Sequence, residues 1–366
     1  MMKNKQGLNS VRWWFYGAIV TSGILLSCSK AKSQRETPAP EPLKPVAEYQ
    51  NPVFTPILAD PTVIKDPNSD YYYAYGTEDF WHTDNKNHLV AVVRSRDLIN
   101  WTYVNDAFTS KPTWKSSGGI WAPDIAIVNG KYHLYYSYST WGDANPGIGL
   151  AVSSYPAGPF IDAGKLFLSS EIGVPNSIDP FYYEESGKKY LFWGSYNTSA
   201  TQGTYGVELT EDGRRVKDAA QKIKIAAGDF EAVNLFRKDG YYYFFGSKNN
   251  CCDGAASVYQ VRVGRSRNLM GPYIDKAGKN LTERGAGTLV LQRNSQFSGP
   301  GHNARLITDK KKQDWMLYHA MDVERAMINT VNQRALLLDK VNWDADGWPV
   351  VNDGTPSAGK MKKPEL

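Results

Sequence analysis

From Asn51 onward, short apolar runs give way to polar turns and then to aromatic runs, and this triplet recurs with a period of roughly fifty residues. Five copies are readable. They start at Asp60 (DPTVIKDPNSDYYYAYGT), Asp124 (DIAIVNGKYHLYYS), Asp179 (DPFYYEESGKKYLFWGS), Glu231 (EAVNLFRKDGYYYFFGS) and His302 (HNARLITDKKKQDWMLYHA). In each, an apolar segment meets a turn rich in Gly, Asn or Asp and then an aromatic segment that stops at a small or polar residue. That is how two antiparallel strands joined by a tight turn read in sequence. The aromatic segment ends 15 to 16 residues after the lead residue in four copies, at Gly76, Gly194, Gly246 and Tyr318, and sooner in the second. A third apolar segment follows in most copies, as in HLVAVVRS, GIGLAVSS and YQVRVGRS. Three or four strands per unit, in five units, predict an all-β chain folded as a five-bladed β-propeller.

A propeller sets the first strand of every blade against the central channel, so residues at equivalent places converge there. Four of the five lead residues are carboxylates: Asp60, Asp124, Asp179 and Glu231. Any one of them alone reads as an acid capping a strand start. Gathered in one pocket they repel one another, a cost to stability that a functional site would justify.

Composition supports the β reading. The chain has 366 residues, 42% hydrophobic, with 23 Tyr, 11 Trp, 32 Gly and 20 Pro; aromatics suit a pleated surface, and Gly and Pro punctuate it. The net charge of +5 shrinks once Lys3, Lys5 and Arg12 of the N-terminal segment are set aside, leaving 39 basic against 37 acidic residues. Such a balance gives no electrostatic reason to expect nucleic acid.

Residues 1–28 have a basic start, an apolar run from Trp13 to Leu26 and a small residue before Cys28, the three parts of an export signal. Leu25-Leu26-Ser27-Cys28 looks like a bacterial lipobox, which predicts lipidation of Cys28 and an exported, membrane-anchored protein on a periplasmic or cell-surface face. Residues 29–50, with Pro38, Pro40, Pro42 and Pro45 among polar residues, are expected to be a flexible tether. A catalytic domain is expected over 51–356 and a basic tail, bearing Lys360, Lys362 and Lys363, over 357–366. The remaining cysteines, Cys251 and Cys252, are neighbours, so no disulfide framework is available; the pair would be a vicinal disulfide or two packed thiols. Zinc has no second Cys or His pair to complete a site.

Several carboxylates rimmed by Trp and Tyr, without a Ser/His nucleophile motif, a phosphate-binding Gly loop or a Cys/His cluster, point to sugars. Hydrolysis of a glycosidic bond needs one protonated carboxyl for the leaving oxygen and one carboxylate on the other face of the ring. The ordered set Ala59-Asp60-Pro61, SRDLINW, Trp121-Ala122-Pro123-Asp124, Ser177-Ile178-Asp179-Pro180, the Glu231 segment and Gly301-His302-Asn303 resembles glycoside hydrolase family 43 over Asn51 to about Pro356. Cys251-Cys252-Asp253-Gly254, followed by Tyr259 and VGRS at 263–266, is similar to its arabinan-degrading members.

The resemblance implies an inverting enzyme with Asp60 as general base, Glu231 as general acid and Asp179 as the residue that orients Glu231 and raises its pKa. It gives Asp124 no catalytic role and makes Trp121 a sugar-stacking wall, with Asn176 and Ser195 as polar contacts to the sugar. It also implies a calcium or similar ion on the propeller axis beside His302, although the sequence has no Asp-rich calcium loop. The expected substrate is α-1,5-linked arabinan from plant cell walls, acted on by a monomer without organic cofactor. Two features depart from the arabinanase pattern: Ala59, where internally cutting members usually carry histidine, and a longer stretch at Asn197 to Thr204. They keep open an exo-acting α-L-arabinofuranosidase or β-xylosidase. From another class, a non-catalytic glycan-binding lipoprotein is the alternative, and the presence of all three carboxylates argues against it.

Overall fold

The computed structural model describes residues 48–194, 196 and 201–366. Cys28, most of the expected tether, Ser195 and residues 197–200 lie outside them. Among the described residues the chain lays down five antiparallel sheets in succession, each built outward from its first strand. Blade one is Thr62–Lys65, Tyr72–Tyr75, Ala91–Ser95 and Thr102–Asp106; blade two is Gly119–Val128, Lys131–Ser139, Gly147–Ser153 and Ile161–Leu168. Blade three is Ile178–Glu185, Lys188–Gly194, Gly203–Glu208 and Ile223–Ala227; blade four is Glu231–Lys238, Tyr241–Lys248, Gln260–Ser266 and Thr288–Leu291. Blade five is Phe297–Gly301, Asp314–Asp322, Ala335–Trp343 and Pro349–Val351, with Ile307–Thr308 also paired to Asp314–Asp322.

The turns explain why these strands pair as they do. Asn129-Gly130, Ser186-Gly187 and Asp239-Gly240 join the first two strands of blades two, three and four, and all six residues have positive φ. Two consecutive left-handed residues make the turn whose twist matches that of the flanking strands, and the glycine adopts that conformation without a Cβ clash.

The core is divided into five hydrophobic clusters, one in each gap between neighbouring blades. Tyr75, Ile125 and Tyr136 fill the gap between blades one and two; Val128, Tyr182 and Trp193 that between two and three; Phe192, Leu235 and Phe244 that between three and four. Phe245, Val261 and Met316 join blades four and five, and Leu58, Val63, Trp315 and Leu336 join five back to one. A ring of five interfaces, each burying large side chains worth about 1.5–3 kcal/mol apiece, holds the blades together.

The N-terminal segment closes the ring along blade five. Val53 N–H donates to Leu336 O at 2.8 Å, and Asn51 is held by Leu338 and by the buried carboxylate of Asp339. Residues expected at the end of the tether and in the tail belong to the fold: Glu48–Tyr49 pairs with Met361–Lys362, and Tyr49, Met361 and Leu366 pack into the cluster between blades five and one. The three lysines masked this, because the apolar residues between and after them carry the packing. The expected loop after Ser195 also ends sooner, since Gly203 and Thr204 begin a strand.

Candidate active site

The first strands of blades two to five each carry an irregularity at the channel end, whereas Thr62–Lys65 of blade one pairs in unbroken register. The register slips between Trp121 and Asp124, Ile178 and Phe181, Glu231 and Asn234, and Ser298 and Gly301. At this end of every blade one residue has left-handed φ: Asp60 (51°), Ala122 (43°), Asp179 (56°), Ala232 (57°) and His302 (47°). A bulge of this kind re-aims side chains and frees a backbone N–H from the ladder. Each freed N–H finds a side chain on the preceding blade: Asp60 donates to His319 Nδ1 (3.0 Å), Ala122 to Thr77 Oγ1 (2.8 Å), Asp179 to Ser137 Oγ (2.8 Å), Ala232 to Asp179 Oδ2 (2.9 Å) and His302 to Ser247 Oγ (2.9 Å). Strain of about 1–3 kcal/mol per residue is offset by these bonds, and four of the five residues, Asp60, Ala122, Asp179 and His302, line one cleft.

The expected equivalence of Asp124 with the other lead acids is corrected by this pattern. Ala122 is the matching residue in blade two, and Asp124 lies two residues further along the strand. There it accepts from Thr62 Oγ1 (2.9 Å), Tyr182 N–H (2.7 Å) and Arg305 (2.5 Å), so that a buried carboxylate with a partly buried cation ties blades one, two, three and five together. Its structural reading holds.

Asp60, Asp179 and Glu231 share a cleft of about 690 Å3 with Trp121, Asn176 and His302. Arg334 and Thr77, outside the expected site residues, complete it. Arg334 Nη1 lies 3.0 Å from both oxygens of Asp60, and Thr77 donates to Asp60 Oδ2 at 2.6 Å. His302 Nδ1 is 3.3 Å from Asp60 Oδ1. Burial opposes ionisation of Asp60, but Arg334 and then His302 outweigh it and hold its pKa well below the usual carboxylate range. Asp79, 3.7 Å from Arg334, is pushed by burial to about 6 despite that cation.

Glu231 meets the opposite conditions. Burial, and next the charge of Asp179, raise its pKa to about 8, against the hydrogen bond from Tyr259 O–H to Oε1 at 2.6 Å. Asp179 is raised as well, by burial first; His302 opposes this, the charge of Asp60 adds to it, and the Ala232 N–H favours the charged form. Tyr259 reaches Glu231 over Gly301, where a Cβ would come within 2.2 Å of the Tyr259 ring, and its ring stacks on His319 at 5.8 Å. His319 accepts the Asp60 N–H at Nδ1, and burial lowers its pKa to about 4, so it is neutral with its proton on Nε2. Thr77, Ser137, Ser247 and His319 all stand at the polar end of an aromatic run, a signal present in the repeat. Arg334 and Asp79 had none.

Comparison with known proteins decides the family. The model for glycosyl hydrolases family 43 matches residues 49–349. The chain belongs to that family. As a family 43 glycoside hydrolase it is 36% identical over 307 residues to an extracellular endo-α-(1→5)-L-arabinanase of Bacillus subtilis, covering 80% of this chain and 87% of the relative. It is 30% identical over 302 residues to an extracellular exo-α-(1→5)-L-arabinofuranosidase of Cellvibrio japonicus, covering 75% and 84%. Among solved structures, an α-L-arabinanase of Cellvibrio cellulosa complexed with arabinohexaose superposes with a TM-score of 0.69 at 28% identity, over 81% of this chain and 95% of that one. An endo-arabinanase of Bacillus licheniformis superposes with a TM-score of 0.67 at 30% identity, over 81% and 97%.

The family 43 cleft does not offer a conventional cage for the ion expected beside His302. Calcium takes six to eight oxygen ligands. Among the described residues no group of three or more His, Cys, Asp or Glu side chains is arranged to hold a metal. An ion there would have to keep most of its water, and no chemical step is derived through it.

Proposed function

We propose that the protein cleaves α-1,5-linked arabinan within the chain, by a single displacement that inverts the anomeric centre. One observation carries the reading: two carboxyls in one cleft have environments that push their pKa values apart, Glu231 up to about 8 and Asp60 well below the usual range. Such a split defines an acid and a base in one site. Glu231 gives its proton to the leaving oxygen. Asp60, fixed by Arg334, Thr77 and His302, removes a proton from the water that attacks the other face of the ring. As Glu231 becomes charged, Tyr259 donates to the new carboxylate. Asp179 keeps the proton on Glu231 until transfer. Trp121 and Asn176 contact the bound sugar.

Internal cutting is favoured by the endo-acting relative, which is more similar to this chain than the exo-acting one, 36% against 30%. Early digestion of linear arabinan should yield a ladder of oligosaccharides and a rapid fall in viscosity. Arabinose alone from the first minutes would defeat internal cutting. Leu25-Leu26-Ser27-Cys28 supports export with a lipid on Cys28; an unmodified N-terminus elsewhere, found by mass analysis of the mature protein, would remove that anchor.

A further inference from the structure

The cleft has a wall made of sulfur. Cys251 and Cys252 are joined by a disulfide, both are half-buried, and both line the cleft that holds Asp60 and Glu231. Among the described residues this is the one disulfide. A bridge between chain neighbours closes almost no loop, so it removes little entropy from the unfolded chain and cannot act as the long-range staple that disulfides usually are. Its value must lie in local shape.

That shape is held from two sides. Asn332 donates through Nδ2 to Cys252 O at 3.1 Å and accepts the Gly254 N–H through Oδ1 at 2.8 Å, which ties the loop to the hairpin formed by Met327–Ile328 and Val331–Asn332. Gly254, at φ 54°, lies so close to this hairpin that a Cβ would come within 2.7 Å of Met327 Cγ. Val331, the neighbour of Asn332 in this hairpin, lines the same cleft. Two bridged sulfurs and a valine form a rigid apolar surface at the edge of a polar site.

We infer that the Cys251–Cys252 disulfide, with Val331, is a binding plate for the sugar on the leaving-group side of the scissile bond. The side follows from the reading of Glu231 as general acid, on which this inference rests. The acid stands next to the leaving oxygen, and the disulfide loop leaves the same blade four residues after Ser247, the strand partner of Glu231. The aromatic wall, Trp121 and Trp141, belongs to blade two. A furanose ring has a face of C–H groups that a flat apolar plate can cover, and the sulfurs offer no strong hydrogen bond to a hydroxyl.

The test is calorimetric binding of linear α-1,5-arabinohexaose to Glu231→Gln protein, with and without the added pair Cys251→Ser and Cys252→Ser. The pair should weaken binding about tenfold, the loss of one well-packed apolar contact. In active protein it should also shift which bond of the hexaose is cut first. Should the serine pair fail to fold, Glu231→Gln protein reduced with TCEP, its two free thiols titrated, provides the same comparison. Unchanged affinity in whichever form is folded overturns the plate. If Glu231→Gln keeps wild-type turnover, the acid reading fails and with it the side assigned to the plate; a KM unaffected by the cysteine changes then overturns the contact itself.

Discussion

Replacing Asp179 by Asn isolates the charge that keeps Glu231 protonated. Asn can still accept the Ala232 N–H that Asp179 Oδ2 accepts at 2.9 Å, and the Asp179 N–H keeps Ser137 Oγ at 2.8 Å, so the bulge survives while one negative charge is lost. Glu231 stands at about 8 against an ordinary 4.5, with burial the larger cause and Asp179 the next. Removing one neighbouring carboxylate charge lowers a pKa by about 1–2 units at the effective dielectric of a partly buried site. The alkaline limb should therefore move from about 8 to about 6–7 and stay above the ordinary value, since burial persists.

The sign is decisive. Glu231 works protonated, so the loss grows with pH. At pH 7 about 90% of Glu231 is protonated in the wild type and about 10–50% in the variant, which predicts a twofold to tenfold loss there and a near-normal rate at pH 5. Initial rates of reducing-sugar release from linear arabinan between pH 4 and 9 measure this, with circular dichroism to confirm folding. An upper limb that does not move would show that Asp179 acts by position alone. A rate reduced by the same factor at every pH would refute the electrostatic account in the same way.

Glu231→Gln and Asp60→Asn should each lower turnover by about 10²–10⁴-fold without unfolding the chain, and proton NMR of the first product should show the inverted anomer; retention would refute Asp60 as base. Asn51→Ala removes the two amide hydrogens shared among Leu338 O, Asp339 and Ser357 and leaves the buried Leu338 N–H without its acceptor, so the denaturation midpoint should fall by an amount equivalent to about 2–4 kcal/mol; a loss below about 0.5 kcal/mol would mean that the N-terminal segment does not close the ring. If an ion sits beside His302 despite the lack of a side-chain cage among the described residues, elemental analysis of active protein will find one calcium or similar ion that is lost in His302→Ala; metal-free protein at full activity removes the axial ion.

The five-blade plan was legible because each blade repeats its own local chemistry. A turn such as Asn129-Gly130 or Asp239-Gly240 specifies a hairpin from two residues, and the aromatic run after it fills the gap to the next blade. Asp60, Asp179 and Glu231 were legible through the same repeat. Arg334 was not: it reaches Asp60 across 274 residues of sequence, from a segment between the second and third strands of blade five that follows no repeat. Asp124 misled because the acids were aligned by chemical type, whereas backbone geometry aligns blade two on Ala122, a residue without a functional group.

That alignment shows how a repeating fold makes an asymmetric site. Each blade has two successive positions at this end, the left-handed residue and the one before it, and seven of the ten line the cleft, all but Ala59, Ala232 and Gly301. The left-handed set is Asp60, Ala122, Asp179, Ala232 and His302; the preceding set is Ala59, Trp121, Ile178, Glu231 and Gly301. Asp60 and Asp179 therefore leave the backbone from the same kind of position, while Glu231 leaves from the one that Trp121 occupies in blade two. Gly301, in the Glu231 position of blade five, makes room for Tyr259 to reach the Glu231 carboxyl. The differences in proton affinity come from what stands beside each position. Arg334 and His302 flank Asp60, whereas burial and Asp179 are the main influences on Glu231. The repeat brings the carboxyls together, and the residues that break the repeat give them different chemistry.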